Sequence, residues 1–134
     1  MVPVTRRAGT LVEKRPAPIQ AISWNVAVRS YAWSPPTDVY ETENSFVVRV
    51  EVAGMKGTDF TLEVEGNTLI IRGVRSDSGE RRSYHQMEIR YGEFSTSVEL
   101  PVNVDTDHAV ADYEDGFLTI LLPVYKQTGQ TIQG

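Results

Sequence analysis

The sequence predicts an all-β domain, either a sandwich or a barrel. Apolar and polar residues alternate along several short segments, as they do in strands with one buried face. Turn residues, mostly glycine beside asparagine or aspartate, separate these segments at intervals of roughly 8–12 residues. Pro101 and Pro123 each end one apolar segment, as expected of a residue that cannot donate to a sheet ladder.

The first half of the domain contains three segments of this kind. Residues 45–52 (SFVVRVEV) are apolar at every second position. Residues 59–65 (DFTLEVE) and 68–73 (TLIIRG) flank Gly66-Asn67, a spacing that predicts a short hairpin. The residues predicted to point inward here are Phe46, Val48, Val50, Val52, Phe60, Leu62 and Val64.

A long charged segment, residues 74–86, interrupts the second half of the domain. Loops of this length in compact domains are usually functional or mobile. Strands are predicted again over residues 94–100, 109–113 and 118–122, with Gly116 in the last turn.

The chain is expected to have one domain with two flexible arms: an arm over residues 1–34, partly disordered, the β domain over 35–124, and a tail over 125–134. Residues 1–36 hold five basic residues and one glutamate, a charge of +4. The remaining residues hold 8 basic and 17 acidic residues, a charge of -9, which gives the net -5 of the chain. Such an arm could contact nucleic acid or the acidic body of a neighbouring subunit, and the absence of a dense basic block favours the subunit.

Sites for chemistry are sparse in the sequence. Cysteine is absent, and no nucleophile elbow, Walker A loop or G-x-G-x-x-G occurs. The two histidines, His85 and His108, have no second histidine nearby, and residues 105–107 (DTD) are interpreted as a capped turn rather than a cation site. No enzyme activity, cofactor or metal is therefore expected. No apolar run approaches the roughly 18 residues of a membrane span, and we expect a cytoplasmic protein.

Aromatic residues gather at the end of the first arm, at Trp24, Tyr31 and Trp33. An apolar segment outside the domain core must be covered by something. It could contact other subunits or non-native proteins, or it could fold back onto its own sandwich.

Several motifs, in register over roughly 90 residues, resemble the small heat-shock protein (α-crystallin) family. The closing segment Gly116–Pro123 (GFLTILLP) is similar to the family's G-x-L-x-I/V-x-L-P motif. The other matching pieces are Pro36–Glu41, Val52–Met55 with Phe60–Gly73, Tyr91–Phe94 with Leu100-Pro101, and Ala111–Asp115.

The resemblance implies an immunoglobulin-like antiparallel β-sandwich that forms a homodimer by exchanging the long loop, with higher oligomers possible. A short strand near Ser83–Met87 would pair with the partner's opening strand near Asp38–Tyr40. The implied dimer residues are Asp38, Val39, Tyr40, Ser83, Tyr84, His85 and Arg90. Ile132 matches the first anchor of the family's I-x-I/V tail, but Gly134 replaces the second, and Thr96 stands where members usually carry arginine.

The function that the resemblance implies is that of an ATP-independent holdase, which binds non-native client proteins and prevents their aggregation under stress. Neither nucleic acid nor membrane is expected as a partner. The alternative is an adaptor of the CS-domain type, which would bind one folded partner as a monomer. The expected client-binding residues are Trp24, Tyr31, Trp33, Phe60, Leu62, Val64, Ala109, Ala111 and Tyr113.

Overall fold

The computed structural model describes residues 2–7 and 32–125 of the chain. Within them the predicted all-β fold is confirmed, since the longest helical pieces are two single turns of 3-10 helix. The strands are β1 Val4–Arg7, β2 Thr37–Glu41, β3 Ser45–Glu51, β4 Phe60–Glu65, β5 Thr68–Arg75, β6 Gly92–Glu99, β7 Val110–Glu114 and β8 Phe117–Pro123.

The strands form two four-stranded sheets that share one hydrophobic core, so the fold is a sandwich rather than a barrel. The first sheet has the order β1-β4-β5-β6 and the second the order β2-β3-β8-β7. Every pairing between these strands is antiparallel except that of β1 with β4, which is parallel. The predicted inward faces are confirmed: Val48 and Val50 of β3 and Leu62 of β4 are at most 1% exposed.

The long loop is displaced from its predicted bounds. Strand β5 continues through Arg75, and β6 begins at Gly92, so the loop covers residues 76–91. The strand expected near Ser83–Met87 is not formed in this single chain. A strand at this position would need the edge of a sheet to pair with.

Parts of the first arm pack on the sandwich, an arrangement that the sequence left open for its aromatic residues and did not predict for residues 4–7. Residues 4–7 form strand β1, and Trp33 is buried beside β6, with its backbone bonded to Glu93 O at 3.2 Å and Ser95 N at 3.0 Å. Of the two alternatives left open for Trp33, folding back onto its own domain is therefore the one observed. Trp24 and Tyr31 of the arm, and Ile132 of the tail, lie outside the described residues.

Gly73 of β5 has no room for a side chain. A Cβ atom there would lie 2.5 Å from Cζ of the buried Phe94 and 3.0 Å from the Asp59 carbonyl oxygen. Gly73→Ala is therefore expected to lower the free energy of unfolding by about 1–3 kcal/mol, the usual cost of overpacking a core. Denaturant unfolding followed by circular dichroism measures this change.

The matched control for this substitution is Gly57→Ala. A Cβ atom at Gly57 would meet only Val2 Cγ2, at an ordinary 3.7 Å. Its unfolding midpoint should stay within about 0.5 kcal/mol of the parent value. Equal destabilisation by the two alanines would contradict the steric explanation.

Candidate functional site

One edge of the sandwich brings together the apolar residues expected to bind clients. Strand β4 supplies Phe60, Leu62 and Val64, while Ala111 and Tyr113 come from β7. The rings of Phe60 and Tyr113 lie 5.1 Å apart, and Ala109 packs against the same cluster. We call the space between β4 and β7 the edge groove; the residues that line it are Phe60, Leu62, Val64, Ala109, Ala111 and Tyr113.

The edge groove is filled by the chain's own first residues. Val2 N donates to Ala111 O at 2.8 Å, and Val4 lies opposite Leu62 in the parallel β1–β4 pairing. Val2 is 2% exposed, and Val4 packs against the core. An open sheet edge offers unpaired N–H and C=O groups, and β1 satisfies those of β4.

This occupancy adds a condition to the expected client surface, which stays a prediction. Phe60, Leu62, Val64 and Ala111 are all buried, and so is Trp33. Strand β1 pairs with β4 beside Leu62 and Val64, whereas Trp33 lies beside β6, at the opposite edge of the first sheet. The edge groove is therefore closed in this conformation, and binding at it requires that β1 leave.

Tyr113 is held in position by two hydrogen bonds from its phenol group. The hydroxyl donates to Val52 O at 2.7 Å and accepts from Met55 N at 3.2 Å. These bonds join β7 to the connection between β3 and β4. The half-buried ring therefore forms a fixed wall of the edge groove.

Charged residues line one end of the groove. Arg6 of β1 forms an ion pair with Asp107 at 2.7 Å, with both side chains more than half exposed. Asp105 caps the adjoining 3-10 turn by accepting from Asp107 N at 3.1 Å, which confirms the interpretation of residues 105–107 as a capped turn. Desolvation opposes ionisation of Asp105, but the hydrogen bonds and charge of His108 and the backbone N–H groups outweigh it and lower its pKa.

A second apolar surface lies at the opposite side of the second sheet. Strand β2 is an edge strand, with Val39 and Tyr40 close to half exposed. The 76–91 loop also exposes apolar side chains, chiefly Met87 at 62% and Ile89 at 63%. Asp38, Ser83, His85 and Arg90, the other residues implied at a dimer interface, are exposed as well. Ile89 was not among the predicted interface residues, although it stands out as apolar within a polar segment.

Arg75 anchors the end of the long loop, a role that sequence reasoning missed. Its guanidinium donates to Arg90 O at 2.6 and 3.0 Å and to Ala53 O at 3.2 Å. It also lies over the ring of Trp33 at 4.7 Å and that of Tyr91 at 5.4 Å. The loop therefore returns to the sandwich at a fixed point.

Within the loop, Arg82 makes a local network. It donates to Ser78, to Glu80 and to the Tyr84 hydroxyl, the last at 3.1 Å. The hydrogen bond with Tyr84, followed by that with Glu80, raises the pKa of Arg82. Thr96, by contrast, lies half-buried on the inner face of β6 opposite Ile71, away from this network.

Comparison with protein families supports the motif-based resemblance. Residues 38–133 match the model of the Hsp20/alpha crystallin family. Small heat shock protein C4 of Rickettsia felis is 35% identical over 112 residues, covering 82% of this chain and 69% of that protein. Small heat shock protein C2 of the same organism is 33% identical over 99 residues, covering 72% of this chain and 64% of that protein. The chain thus spans about two thirds of the length of these relatives.

Solved structures show the same fold. A small heat-shock protein from Xylella fastidiosa, described as having a distinct high order structure, gives a TM-score of 0.65 at 28% identity, covering 76% of this chain and 96% of that one. HspA from Xanthomonas axonopodis gives a TM-score of 0.65 at 30% identity, covering 69% and 94%. Among the described residues, no helix has the length and apolar character that a membrane crossing requires.

Proposed function

The chain belongs to the Hsp20/alpha crystallin family, and on this basis we propose that it is an ATP-independent holdase for non-native proteins. The observation that carries the proposal is the edge groove, an apolar slot that already holds an extended segment through backbone hydrogen bonds. Strand addition of this kind depends little on side-chain identity, because the main chain supplies most of the bonds. That property suits a protein whose clients differ in sequence.

Unfolding proteins expose extended apolar segments that are otherwise buried. Such a segment could displace the chain's own residues 2–7 from the groove. These residues fill it with only two apolar side chains, the buried Val2 and Val4, which packs against the core. Burying one such side chain contributes about 1.5–3 kcal/mol. A longer client segment, which buries more apolar side chains than β1 does, can therefore compete with β1 for the groove. Trp24 and Tyr31 of the arm would add further apolar contacts.

No energy source is needed for this activity. A binder that prefers the non-native state lowers the concentration of free aggregation-prone chains by mass action alone. The proposed role therefore needs neither a catalytic site nor a cofactor. We place it in the cytoplasm, with non-native proteins and further copies of the chain as its partners.

The proposed self-association is a loop-exchanged homodimer. Strand β2 lies at the edge of its sheet, and among the described residues it pairs with β3 alone. The loop of the partner would supply a strand for its free edge. The exposed apolar residues of β2 and of the loop, Val39, Tyr40, Tyr84, Met87 and Ile89, would be covered together. An interface of this kind explains apolar exposure that a monomer has no use for.

A light-scattering assay tests the holdase proposal. Aggregation of a heat-denatured client should be slowed in proportion to the amount of this protein, in buffer without ATP. An unrelated β-sandwich protein of similar size and acidity serves as control and should have no effect. Unchanged aggregation at several-fold molar excess, together with a strictly monomeric mass, would instead favour the single-partner adaptor.

A further inference from the structure

The outer face of the second sheet carries an apolar strip along β8. Phe117, Thr119 and Leu121 point away from the core, because they alternate with buried residues of the same strand. Leu121 is 39% exposed, and Val110 of β7, which lies opposite it, is 41% exposed. Adjacent apolar side chains therefore meet solvent on the face of β7 opposite to the one that lines the edge groove.

A groove of about 590 Å³ lies over this strip, and β7 makes one side of it acidic. Asp112 and Glu114 point outward from β7, opposite outward residues of β8. Asp115 follows in the turn between the two strands, and Arg49 of β3 is the one basic residue among the described residues that line the groove. We call this space the outer groove; its apolar floor and acidic side are formed by Val110, Phe117, Leu121, Asp112, Glu114 and Asp115.

Arg49 shows how a cationic side chain lies on such a floor. Its guanidinium carbon is 4.0 Å from the centre of the Phe117 ring, whose face attracts positive charge. Long basic side chains bury their methylene stems on apolar surface and keep the charged head in water. A lysine or arginine of a bound segment would place its stem on Leu121 and Val110 in the same manner, with its head towards Asp112.

We propose that the outer groove binds non-native protein segments in which apolar residues are accompanied by lysine or arginine. The inference rests on the proposed holdase function and names a class of client for it. The outer groove differs in place from the edge groove, which β1 closes. It therefore offers an apolar contact that does not require β1 to leave.

Charge complementarity identifies this class of partner. The residues from 37 onwards carry a charge of -9, so the body of the protein attracts cationic segments before contact. The acidic side of the outer groove then lies beside the apolar floor, where a segment with both kinds of side chain satisfies both surfaces. An acidic segment of the same hydrophobicity is repelled.

The chain's own arm fits this groove less well than such a client. Residues 16–28 hold most of the apolar side chains between residues 8 and 31, and they include no basic residue. The basic residues of this stretch are Lys14, Arg15 and Arg29, which lie outside that apolar part. Apolar and basic side chains are thus separated along the arm, whereas the outer groove brings its two surfaces together.

Two labelled peptides of equal length test the preference, one alternating valine with lysine and the other alternating valine with glutamate. Binding to the full chain is followed by fluorescence anisotropy at low ionic strength. The lysine peptide is expected to bind at least about tenfold more tightly, because the groove attracts one charge and repels the other. Its affinity should fall as salt is added, since exposed charges are screened.

The variant Glu114→Lys/Asp115→Asn reverses the charge of the acidic side. Asparagine tolerates the positive φ of 52° at position 115. The variant should bind the lysine peptide at least about fivefold more weakly, since two charge pairs are lost and a repulsion is added. It should bind the glutamate peptide more tightly than the parent does, a gain that a damaged fold would not produce.

Two matched controls separate the groove from the rest of the surface. Glu43→Lys/Glu99→Gln changes the net charge equally at exposed positions in the β2–β3 turn and on the first sheet, and should keep the parent's preference. Leu121→Ser should weaken binding of the lysine peptide at least about threefold, because it removes part of the apolar floor. Val102→Ser, at an exposed position in the β6–β7 connection, should leave that affinity unchanged.

Three results would overturn the proposal. The first is no difference in affinity between the two peptides, and the second is an equal loss in Glu43→Lys/Glu99→Gln, which would make the preference a property of net charge. The third is tighter binding of a peptide of residues 8–31, sensitive to Glu114→Lys/Asp115→Asn, which would make the arm the occupant. A parent protein that slows aggregation but shows no peptide preference contradicts this inference alone, whereas failure to slow aggregation contradicts the holdase proposal.

Discussion

Replacing Phe94 by alanine is expected to lower the free energy of unfolding by about 3–5 kcal/mol, the usual cost of emptying a buried aromatic site. Phe94 is 2% exposed and joins three parts of the chain. Its ring lies 5.4 Å from that of Trp33, edge to face, and 6.1 Å from that of Phe60. Since domains are typically stable by about 5–15 kcal/mol, this loss would be a large fraction of the total.

Two measurements separate this effect from a general loss of structure. Denaturant unfolding gives the change in free energy, and Phe117→Ala serves as control. Phe117 is half-buried and lies beneath Arg49, at 4.0 Å, so its loss should cost far less. In a Trp24→Phe background, the Phe94→Ala variant should also red-shift the emission of Trp33. Equal unfolding midpoints for the two alanine variants would contradict the central role of Phe94.

The link between Phe94 and Gly73 offers an internal check. The added Cβ of Gly73→Ala meets the Phe94 ring first. In a Phe94→Leu background the same substitution should cost less, because the nearest clashing atom is gone. A double-mutant cycle should therefore show coupling between the two sites, whereas additive costs would place the strain at Asp59 O instead.

The strand faces were predictable from sequence because alternation is a local property. Val48, Val50 and Leu62 were predicted to point inward from the alternation of their neighbours alone. All three are buried between the two sheets. Strand β1 was not predictable in this way. It is four residues long, follows Pro3, and pairs in parallel with a strand more than fifty residues away.

The contacts that cover the predicted site could not be predicted from the sequence, for the same reason. The residues of the edge groove were identified from the sequences of two separate strands. Strand β1, which covers them, was not predicted because it comes from the arm. Arg75 was missed since its contacts lie 15 residues away at Arg90 and 22 away at Ala53. The sequence around Trp33 does not indicate whether its side chain is buried or exposed. Its partners, Phe94 and Arg75, become adjacent only after the first sheet forms.

Substituting aspartate at both Met87 and Ile89 is expected to convert the proposed homodimer to single chains. The two side chains are 62% and 63% exposed, so the charges meet water in the isolated chain and should leave its fold intact. In the loop-exchanged dimer both would be buried, at about 1.5–3 kcal/mol each. Loss of both contacts therefore weakens dimerisation at least about 100-fold, since each 1.4 kcal/mol is tenfold.

Light scattering coupled to size exclusion measures the mass, with Val102→Asp as the matched control. Val102 is 86% exposed and lies in the connection between β6 and β7, so it belongs neither to the loop nor to β2. Its variant should keep the parent mass. An unchanged mass for the Met87→Asp/Ile89→Asp variant would contradict loop exchange.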